Sequence, residues 1–299
     1  MKLKVTIGVF VAVFLGLVLL LYANGKSSND YAYSQMASLD ENPVSDEVLP
    51  EGDETGVEEE SEAHIEPAVS DSIFEICKPS PLSGVSEQII KKKAYIVSYN
   101  KDTRIPNWVA WHLTSDHSDG SIGRSNAFYE DEEVPVPRAT SEDYRGSGWS
   151  RGHMCPAGDN KWDVEAMNQS FSLINVCPQD ASLNSGLWNS IEIDCRNWAK
   201  RFQDIYIICG PVFYKQEHEQ IGNNKVYVPE AFFKVVLCLN GEPKGMGFVV
   251  KNNAGTKKRD LYYNSIDQIE RITGIDFFPI LPDDLENEIE SKLDMDLWR

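Results

Sequence analysis

The sequence has no lysine or arginine between residues 27 and 76, although this stretch carries 15 aspartates and glutamates and few aromatic residues. Such a composition buries too little apolar surface to offset the entropy lost on folding. We therefore predict a disordered acidic linker over residues 27–76. The linker carries −15 of the formal net charge of −19, residues 1–26 carry +3, and residues 77–299 carry −7.

The sequence also lacks any CxxC or CxxH pairing among its cysteines, which argues against a zinc knuckle. No internal repeat is evident. The cysteines are Cys77, Cys155, Cys177, Cys195, Cys209 and Cys238. The last three lie in apolar patterns and are predicted to be core residues. Cys155 and Cys177 flank the candidate site described below. Export would permit a disulfide, and the sequence leaves open whether these two cysteines form one.

Residues 5–23 form a run without any charged residue, preceded by Lys2 and Lys4. Nineteen apolar residues are long enough to cross the hydrocarbon core of a bilayer. We expect residues 1–26 to act as an N-terminal membrane anchor that holds an exported domain in a bacterial envelope or periplasm. The alternatives are a signal peptide, cleaved to give a secreted protein, and a mitochondrial address.

A histidine between glycine-rich turns stands out in residues 148–160, GWSRGHMCPAGDN. The ordinary pKa of histidine, about 6.5, suits His153 to act as a general base near neutral pH. Arg151 remains charged, and its planar guanidinium fits the oxygens of a phosphate. The pair therefore favours an anionic phosphoester as substrate.

Asn184 and Glu192 supply oxygen ligands downstream, and a small number of such ligands is typical of Mg²⁺ sites that retain water. An apolar stripe of Trp188, Ile191, Cys195, Trp198 and Phe202 predicts a helix over about residues 183–202. Asn184 and Glu192 lie two turns apart on that helix and can border one cleft. A base, a phosphate clamp and a sparse oxygen site together indicate metal-assisted phosphodiester hydrolysis.

The ordered blocks SRGHMCPAGD and F-x-L-I-N-V-C-P-Q-x(4)-N-x(3)-W-x(3)-E resemble the DNA/RNA non-specific endonucleases of the ββα-metal class. Further blocks extend the resemblance from about Tyr95 to Phe278, with RIPNWVAW at 104–111, VPEAFFKVV at 228–236 and TGIDFFP at 273–279. The resemblance implies an α+β fold in which a ββα-metal finger joins a central, mainly antiparallel sheet flanked by helices. It also implies a nuclease domain over residues 77–299.

By the same resemblance, His153 activates the water that attacks phosphorus. Arg151 and Arg124 contact the scissile phosphate and its developing charge. The substrates implied are both DNA and RNA.

The resemblance further implies that Asn184 is the one direct protein ligand of Mg²⁺, with Mn²⁺ as an alternative ion. Glu192 holds metal-bound water, and Asn175 braces the site. The metal polarises the phosphate and stabilises the leaving 3′ oxygen.

Ser150 departs from the family pattern, because the motif usually begins with aspartate at this position. If that aspartate mainly orients the turn, a serine hydroxyl can replace it and activity survives at a reduced level. If its charge tunes the water around the metal, the protein is a catalytically weak module that binds nucleic acid or an envelope partner. A third alternative keeps the chemistry but changes the substrate to another phosphodiester.

Short β-branched or aromatic segments predict strands in the rest of the domain, at residues 94–98, 204–208, 232–239 and 247–250. Residues 265–273 predict a short helix that ends at Gly274. Before the helix over about residues 183–202, a strand hairpin is expected in the glycine-rich run preceding His153, giving the order strand, strand, helix.

The mildly acidic domain must bind nucleic acid through local basic groups, because non-specific affinity comes from neutralising phosphates. Candidate runs are Lys91 to Lys93 and Lys257 to Arg259, either of which is otherwise an ordinary solvated charge run. The sequence leaves open whether the chain is a monomer or a homodimer.

Overall fold

A seven-stranded sheet runs through the centre of the folded domain, and every pair of neighbouring strands in it is antiparallel. The computed structural model describes residues 74–254 and 258–299. In spatial order the strands are β1 (Gln88–Lys91), β2 (Ile96–Asn100), β3 (Ile105–Thr114), β6 (Asp204–Val212), β9 (Ala231–Cys238), β10 (Lys244–Lys251) and β11 (Tyr263–Asn264). Two separate pairs are β4 (Ser150–His153) with β5 (Val176–Gln179), and β7 (Gln220–Ile221) with β8 (Val226–Tyr227).

Besides a helical turn at residues 74–77, six helices accompany the strands in the described part of the chain. They are α1 (Ser115–Asp119), α2 (Ser141–Tyr144), α3 (Val164–Gln169), α4, α5 (Ile266–Thr273) and α6 (Asp283–Glu290). Helix α4 consists of Ala181–Leu183, a π-helical turn at Asn184–Trp188 that is kinked at Gly186, and Asn189–Phe202. Short 3₁₀ turns occupy Ala157–Asp159, Leu173–Asn175, Arg259–Tyr262 and Met295–Trp298.

Strand β9 is buried along its whole length because both faces of the sheet are covered. Phe232 and Val236 pack in the core that also contains residues of α4. Phe233 and Val235 point the other way, into the core beneath α5 and α6. This alternation is the period of two that strand geometry imposes. We call the two sides the α4 face and the α5/α6 face.

The four strands predicted from the sequence are confirmed as β2, β6, β9 and β10, with ends displaced by up to four residues. Strand β2 begins at Ile96 rather than Ala94 because the preceding residues form a tight turn. In that turn the Lys92 backbone N–H donates to the Tyr95 carbonyl at 2.8 Å.

Helix α4 confirms the predicted helix and extends it by two residues at its N-terminus. Asp180 caps this end, and its carboxylate accepts hydrogen bonds from the backbone of Ser182 at 2.8 Å and Leu183 at 2.9 Å. The apolar stripe is buried from Trp188 to Trp198, and it fastens the helix to the sheet. Because this stripe faces inwards, the polar residues at its margin border the surface.

Helix α5 confirms the prediction for residues 265–273. The Ser265 side chain caps its start, and Gly274, with φ +70°, adopts the left-handed conformation that ends it. Helix α6 was not predicted, because few apolar residues mark its buried side. Ile289 is buried there against α5 and the sheet.

Strands β4 and β5 and helix α4 follow one another as strand, strand, helix, which confirms the predicted order. The predicted position of the hairpin is wrong. The first strand is the motif Ser150–His153 itself, and its partner β5 begins only at Val176, after a long connection. The glycines at 146 and 148, both with positive φ, form the turn that leads into β4.

The predicted anchor and most of the acidic linker lie outside the described residues. The described part begins with a helical turn at residues 74–77, in which Phe74 is already buried, three residues before the expected domain start at Cys77. No helix in residues 74–254 or 258–299 has the length and apolar character needed to cross a membrane. All six cysteines are buried with free thiols, so Cys155 and Cys177 are not joined.

Candidate active site

His153 ends strand β4 and lies between two aromatic rings. Its imidazole centroid is 5.1 Å from that of Phe128 and 4.8 Å from that of Phe171. The residue is 7% exposed, and its Nε2 has no hydrogen-bond partner within the described chain. Burial, with the charges of Arg124 and Arg151, lowers the pKa of His153 to about 3. The imidazole is therefore neutral at physiological pH in the protein without a bound anion or metal ion.

The backbone that follows His153 is fixed by Asn175. The side-chain oxygen of Asn175 accepts from the Cys155 N–H at 2.8 Å, and its Nδ2 donates to the carbonyls of Cys155 and Ser170 at 2.8 Å each. The Met154 N–H donates to the Asn175 carbonyl at 2.9 Å. Asn175 is fully buried and therefore acts on the site through the turn it holds.

Arg124 and Arg151 rest on the two rings that flank His153. The guanidinium carbon of Arg151 is 4.3 Å from the centroid of Phe128, and that of Arg124 is 5.2 Å from the centroid of Phe171. Both arginines are exposed, and neither guanidinium makes a hydrogen bond or ion pair with another described residue. Two such cations beside a neutral base form an anion-binding surface.

Asn184 and Glu192 lie on α4, as expected, at the margin of its buried stripe. Asn184 begins the π-helical turn, where Gly186 departs from helical geometry with φ −105° and ψ −105°. Both residues are half-buried, and their side chains make no hydrogen bond within the described chain. Burial raises the pKa of Glu192 to about 7, and the nearby charge of Lys234 opposes that rise. Arg124 acts electrostatically on both Glu192 and His153. Helix α4 contacts β4 directly, since Trp188 Nε1 donates to the His153 carbonyl at 3.4 Å.

Three charged residues near Glu192 were not identified from the sequence. Arg196 donates from Nη1 to Asp159 Oδ1 at 2.9 Å, and Asp159 also accepts from Trp111 Nε1 at 3.1 Å. The sequence held a signal for Arg196, since it follows Glu192 by four residues on the same helical face.

Lys234 is the third of these residues, and no pattern in the sequence marks it as part of the site. It is fully buried on the α4 face of β9, with Nζ 4.7 Å and 4.6 Å from the ring centroids of Trp111 and Trp188. Its Nζ has no hydrogen-bond partner among the described residues. Burial alone would lower the pKa of Lys234, but the negative groups around it, Glu192 and Asp159 among them, raise it overall, so the residue places a positive charge beneath the site.

Ser150 opens β4 opposite Gln179 in β5 and is half-buried. Between it and His153, Gly152 is packed so closely that a Cβ atom would collide with the Gln179 side chain. The strand therefore requires glycine at 152, and Ser150 brings a hydroxyl rather than a carboxylate to this edge of the site.

The basic runs proposed as contacts for nucleic acid are largely neutralised by acidic neighbours. Lys92 is buried, and its Nζ lies 2.8 Å from Asp131 and 2.6 Å from Glu133. Lys93 pairs with Asp163 at 2.8 Å, and Arg259 pairs with Asp194 at 3.1 Å. Within the run Lys91 to Lys93, the fold thus places acidic side chains against Lys92 and Lys93. Lys257 lies outside the described residues.

The donors that Asn184 and Glu192 provide fit a hard divalent cation. Both offer oxygen atoms that are not used by other protein groups in the described chain. Sparse oxygen donors suit Mg²⁺, which keeps several of its waters, and Mn²⁺ accepts the same ligand types.

These features define a class of protein, namely α+β proteins in which a histidine on a two-stranded finger lies beside a helix that offers unpaired side-chain oxygen atoms. Residues 74–284 match the model of the family described as DNA/RNA non-specific endonuclease. The chain belongs to this family, as the resemblance of its motifs predicted.

Several named relatives are nucleases. The chain is 37% identical to human mitochondrial nuclease EXOG over 219 residues, which cover 67% of this chain and 59% of the relative. It is 34% identical to nuclease C1 of Cunninghamella echinulata var. echinulata over 70% of this chain and 88% of the relative. The match to EXOG thus spans less than two thirds of that protein.

The fold also resembles a solved structure, a chain of the EndoG/EndoGI complex. The TM-score is 0.66 at 26% sequence identity, over 72% of this chain and 94% of the other. The large antiparallel sheet with flanking helices is therefore an EndoG-like nuclease fold.

Proposed function

We propose that the protein is a metal-dependent endonuclease that hydrolyses phosphodiester bonds of both DNA and RNA, with His153 as general base. The observation that carries this proposal is a neutral imidazole, its Nε2 free, between two unpaired arginines. Family membership supports the same activity.

In this mechanism His153 Nε2 takes a proton from water while the water oxygen attacks phosphorus. The bond between phosphorus and the 3′ oxygen breaks, leaving a 5′-phosphate and a 3′ oxygen that takes up a proton from solvent to become the 3′-hydroxyl. Arg124 and Arg151 hold the phosphate oxygens and balance the charge that develops on them. The aromatic rings beneath the two guanidinium groups restrict their movement, so less entropy is lost when the phosphate binds.

Asn184 and Glu192 would hold Mg²⁺, or Mn²⁺ in its place, with Asn184 as the direct ligand. When bound, the ion would act as a Lewis acid that polarises the phosphate and stabilises negative charge on the leaving oxygen. Glu192 contributes a hydrogen-bond acceptor at the edge of the site. Its ionised form suits this role, because a carboxylate accepts hydrogen bonds through both oxygens. Arg196 and Lys234 surround that carboxylate with positive charge, which favours ionisation.

Ser150 supports the alternative of a catalytically weak module that binds nucleic acid or an envelope partner. It removes a carboxylate that the family motif usually carries at this edge of the site. The intact set of His153, Asn184 and Glu192 favours the enzyme.

Cleavage of supercoiled plasmid and of a structureless RNA by the full-length chain tests the proposal. We expect Mg²⁺-dependent cutting of both polymers, lost in EDTA and strongly reduced in Asn184→Ala. Cutting of one polymer alone would refute the lack of sugar specificity. If a folded protein cut neither, even with Mn²⁺ and the Ser150→Asp substitution, the binding module would be the better account.

We further propose that residues 5–23 anchor the chain in a membrane, with the nuclease domain exported to a bacterial envelope or periplasm. The apolar run and the acidic stretch after it support this arrangement. Alkaline carbonate extraction of membranes tests it. Retention in the pellet is expected, whereas release of a shortened chain would indicate a cleaved signal peptide.

A further inference from the structure

Three carboxylates meet on the α5/α6 face of the sheet, away from the candidate active site. Asp267 and Glu270 lie on α5, and Glu290 is the last residue of α6. One carboxylate oxygen of each lies within 4.8 Å of those of the other two. The central sheet separates this cluster from α4, since residues of α5 and α6 pack in a core distinct from that of α4.

Close packing of two helices on β10 brings the carboxylates together. Gly245 lets Ile266 of α5 and Ile289 of α6 approach the strand, because a Cβ at this glycine would meet both isoleucines. Asp267 follows Ile266, and Glu290 follows Ile289. The apolar contacts that bury the two isoleucines therefore force like charges into proximity.

Glu290 is the unusual member of the cluster. It is 5% exposed, and its Oε1 is buried without a hydrogen-bond partner in the described chain. A buried carboxylate without a partner is costly unless it is protonated or bound to a cation. Burial, together with the charges of Glu270 and Glu286, raises the pKa of Glu290 to about 9. Burial likewise raises the pKa of Glu270 to about 7.

Neighbouring protein groups do little to offset these negative charges. Glu270 accepts one hydrogen bond from the Phe277 N–H at 2.8 Å, which occupies one of its oxygens. The ion pair recorded for the cluster within the described residues is long, with Arg271 Nη1 3.8 Å from Asp267 Oδ2, and Arg271 is half-exposed. Asp276 and Glu286 add further negative charge nearby. The cluster thus has oxygen donors in excess and little positive charge.

We propose that Asp267, Glu270 and Glu290 bind one hard divalent cation of the calcium and magnesium type, which joins α5 to α6. The donors are all carboxylate oxygens, without the histidine or cysteine that softer metals prefer. The buried Oε1 of Glu290 would gain a partner, and the mutual repulsion of the three carboxylates would be relieved. The ion would stabilise the fold from the side opposite the nuclease site, so this proposal is independent of the proposed function.

Thermal unfolding of the full-length chain in detergent tests the proposal, with Ca²⁺ and Mg²⁺ added in separate titrations. The variants compared are Glu290→Gln and a matched control, Glu288→Gln, which changes an exposed glutamate on the same helix. The Asn184→Ala substitution is present throughout, so that ions at the nuclease site do not contribute.

We expect Ca²⁺ or Mg²⁺, at a hundredfold excess over its dissociation constant, to raise the Tm by roughly 5–10 °C. The rise should be retained in Glu288→Gln and lost in Glu290→Gln. Without added ions, Glu290→Gln should melt at or above the temperature of the unsubstituted protein, because a neutral amide carries neither a buried charge nor the cost of protonating the carboxylate on folding. If neither ion raises the Tm, or if the rise persists in Glu290→Gln, the proposal is wrong.

Discussion

Asn175 holds Cys155 by two side-chain hydrogen bonds of 2.8 Å. Asn175 Oδ1 accepts from the Cys155 N–H, and Asn175 Nδ2 donates to the Cys155 carbonyl. This paired contact fixes the turn that leaves β4, and with it the position of His153 two residues earlier. An amide is the side chain suited to the task, since it donates and accepts at once.

Asn175→Ala should lower the free energy of unfolding by about 3 kcal/mol, because it leaves buried backbone groups of Cys155 and Ser170 unpaired. Urea unfolding measures this change. Asn168→Ala, an exposed asparagine on nearby α3, should have little effect. Equal effects of the two substitutions would contradict the bracing role.

The acid limb of the pH profile should report Glu192 rather than His153. In the protein without a bound ion, whose titration kcat/KM reports at limiting Mg²⁺, His153 with a pKa of about 3 is already neutral far below neutral pH, whereas Glu192 ionises only near pH 7. We therefore expect kcat/KM to rise with pH through about 7, and this limb to vanish in Glu192→Gln at a lower overall rate.

The same shifts affect stability with opposite signs. The raised pKa of Glu192 stabilises the fold fully below its ordinary pKa of 4.5, and this contribution is lost as pH rises through about 7. The depressed pKa of His153 acts in reverse, since between its ordinary 6.5 and about 3 the unfolded chain binds more protons. In the kinetic measurement, an acid limb of kcat/KM that remained in Glu192→Gln would contradict the assignment of this limb to Glu192.

Ser150→Asp should increase activity at limiting Mg²⁺. Restoring the carboxylate usual in the family motif should raise the apparent Mg²⁺ affinity about tenfold. Activity measured against Mg²⁺ concentration checks this expectation. Ser150→Asn, of the same size but uncharged, separates the effect of charge from that of shape. An identical gain in both variants would show that the aspartate mainly orients the strand.

Lys234→Met should move the acid limb of the pH profile to higher pH. The buried ammonium favours ionised Glu192, and methionine has a similar length without the charge. The Tm should change little, because the cost of burying a charge is removed together with its attraction. Lys200→Met, an exposed change on α4, is the control. An acid limb that stayed at the same pH in Lys234→Met would show that Lys234 does not influence the ionisation of Glu192.

The sequence predicted the elements whose local pattern is strong. The isoleucine spacing and Gly274 defined α5, and the stripe from Trp188 to Trp198 defined α4. The motif histidine and the amide-rich segment after it likewise identified residues that the fold brings to one site.

The sequence did not predict features set by contacts between distant segments. Strand β5 pairs with β4 across a long connection, so the hairpin was expected in the wrong place. Lys234 lies in an apolar strand, and a lysine is ordinarily exposed, so its burial became evident only from the tryptophans packed around it. The pairing of Lys92 with Asp131 similarly depends on a loop 39 residues away.

The most direct test of the central claim is the cleavage rate of His153→Ala with and without added imidazole. The substitution opens space between Phe128 and Phe171 that a free imidazole can occupy. We predict that plasmid cleavage falls by about 10²–10⁴-fold and that imidazole partly restores it at neutral pH. Cleavage by a correctly folded His153→Ala protein at nearly the wild-type rate would contradict the role of His153 as general base.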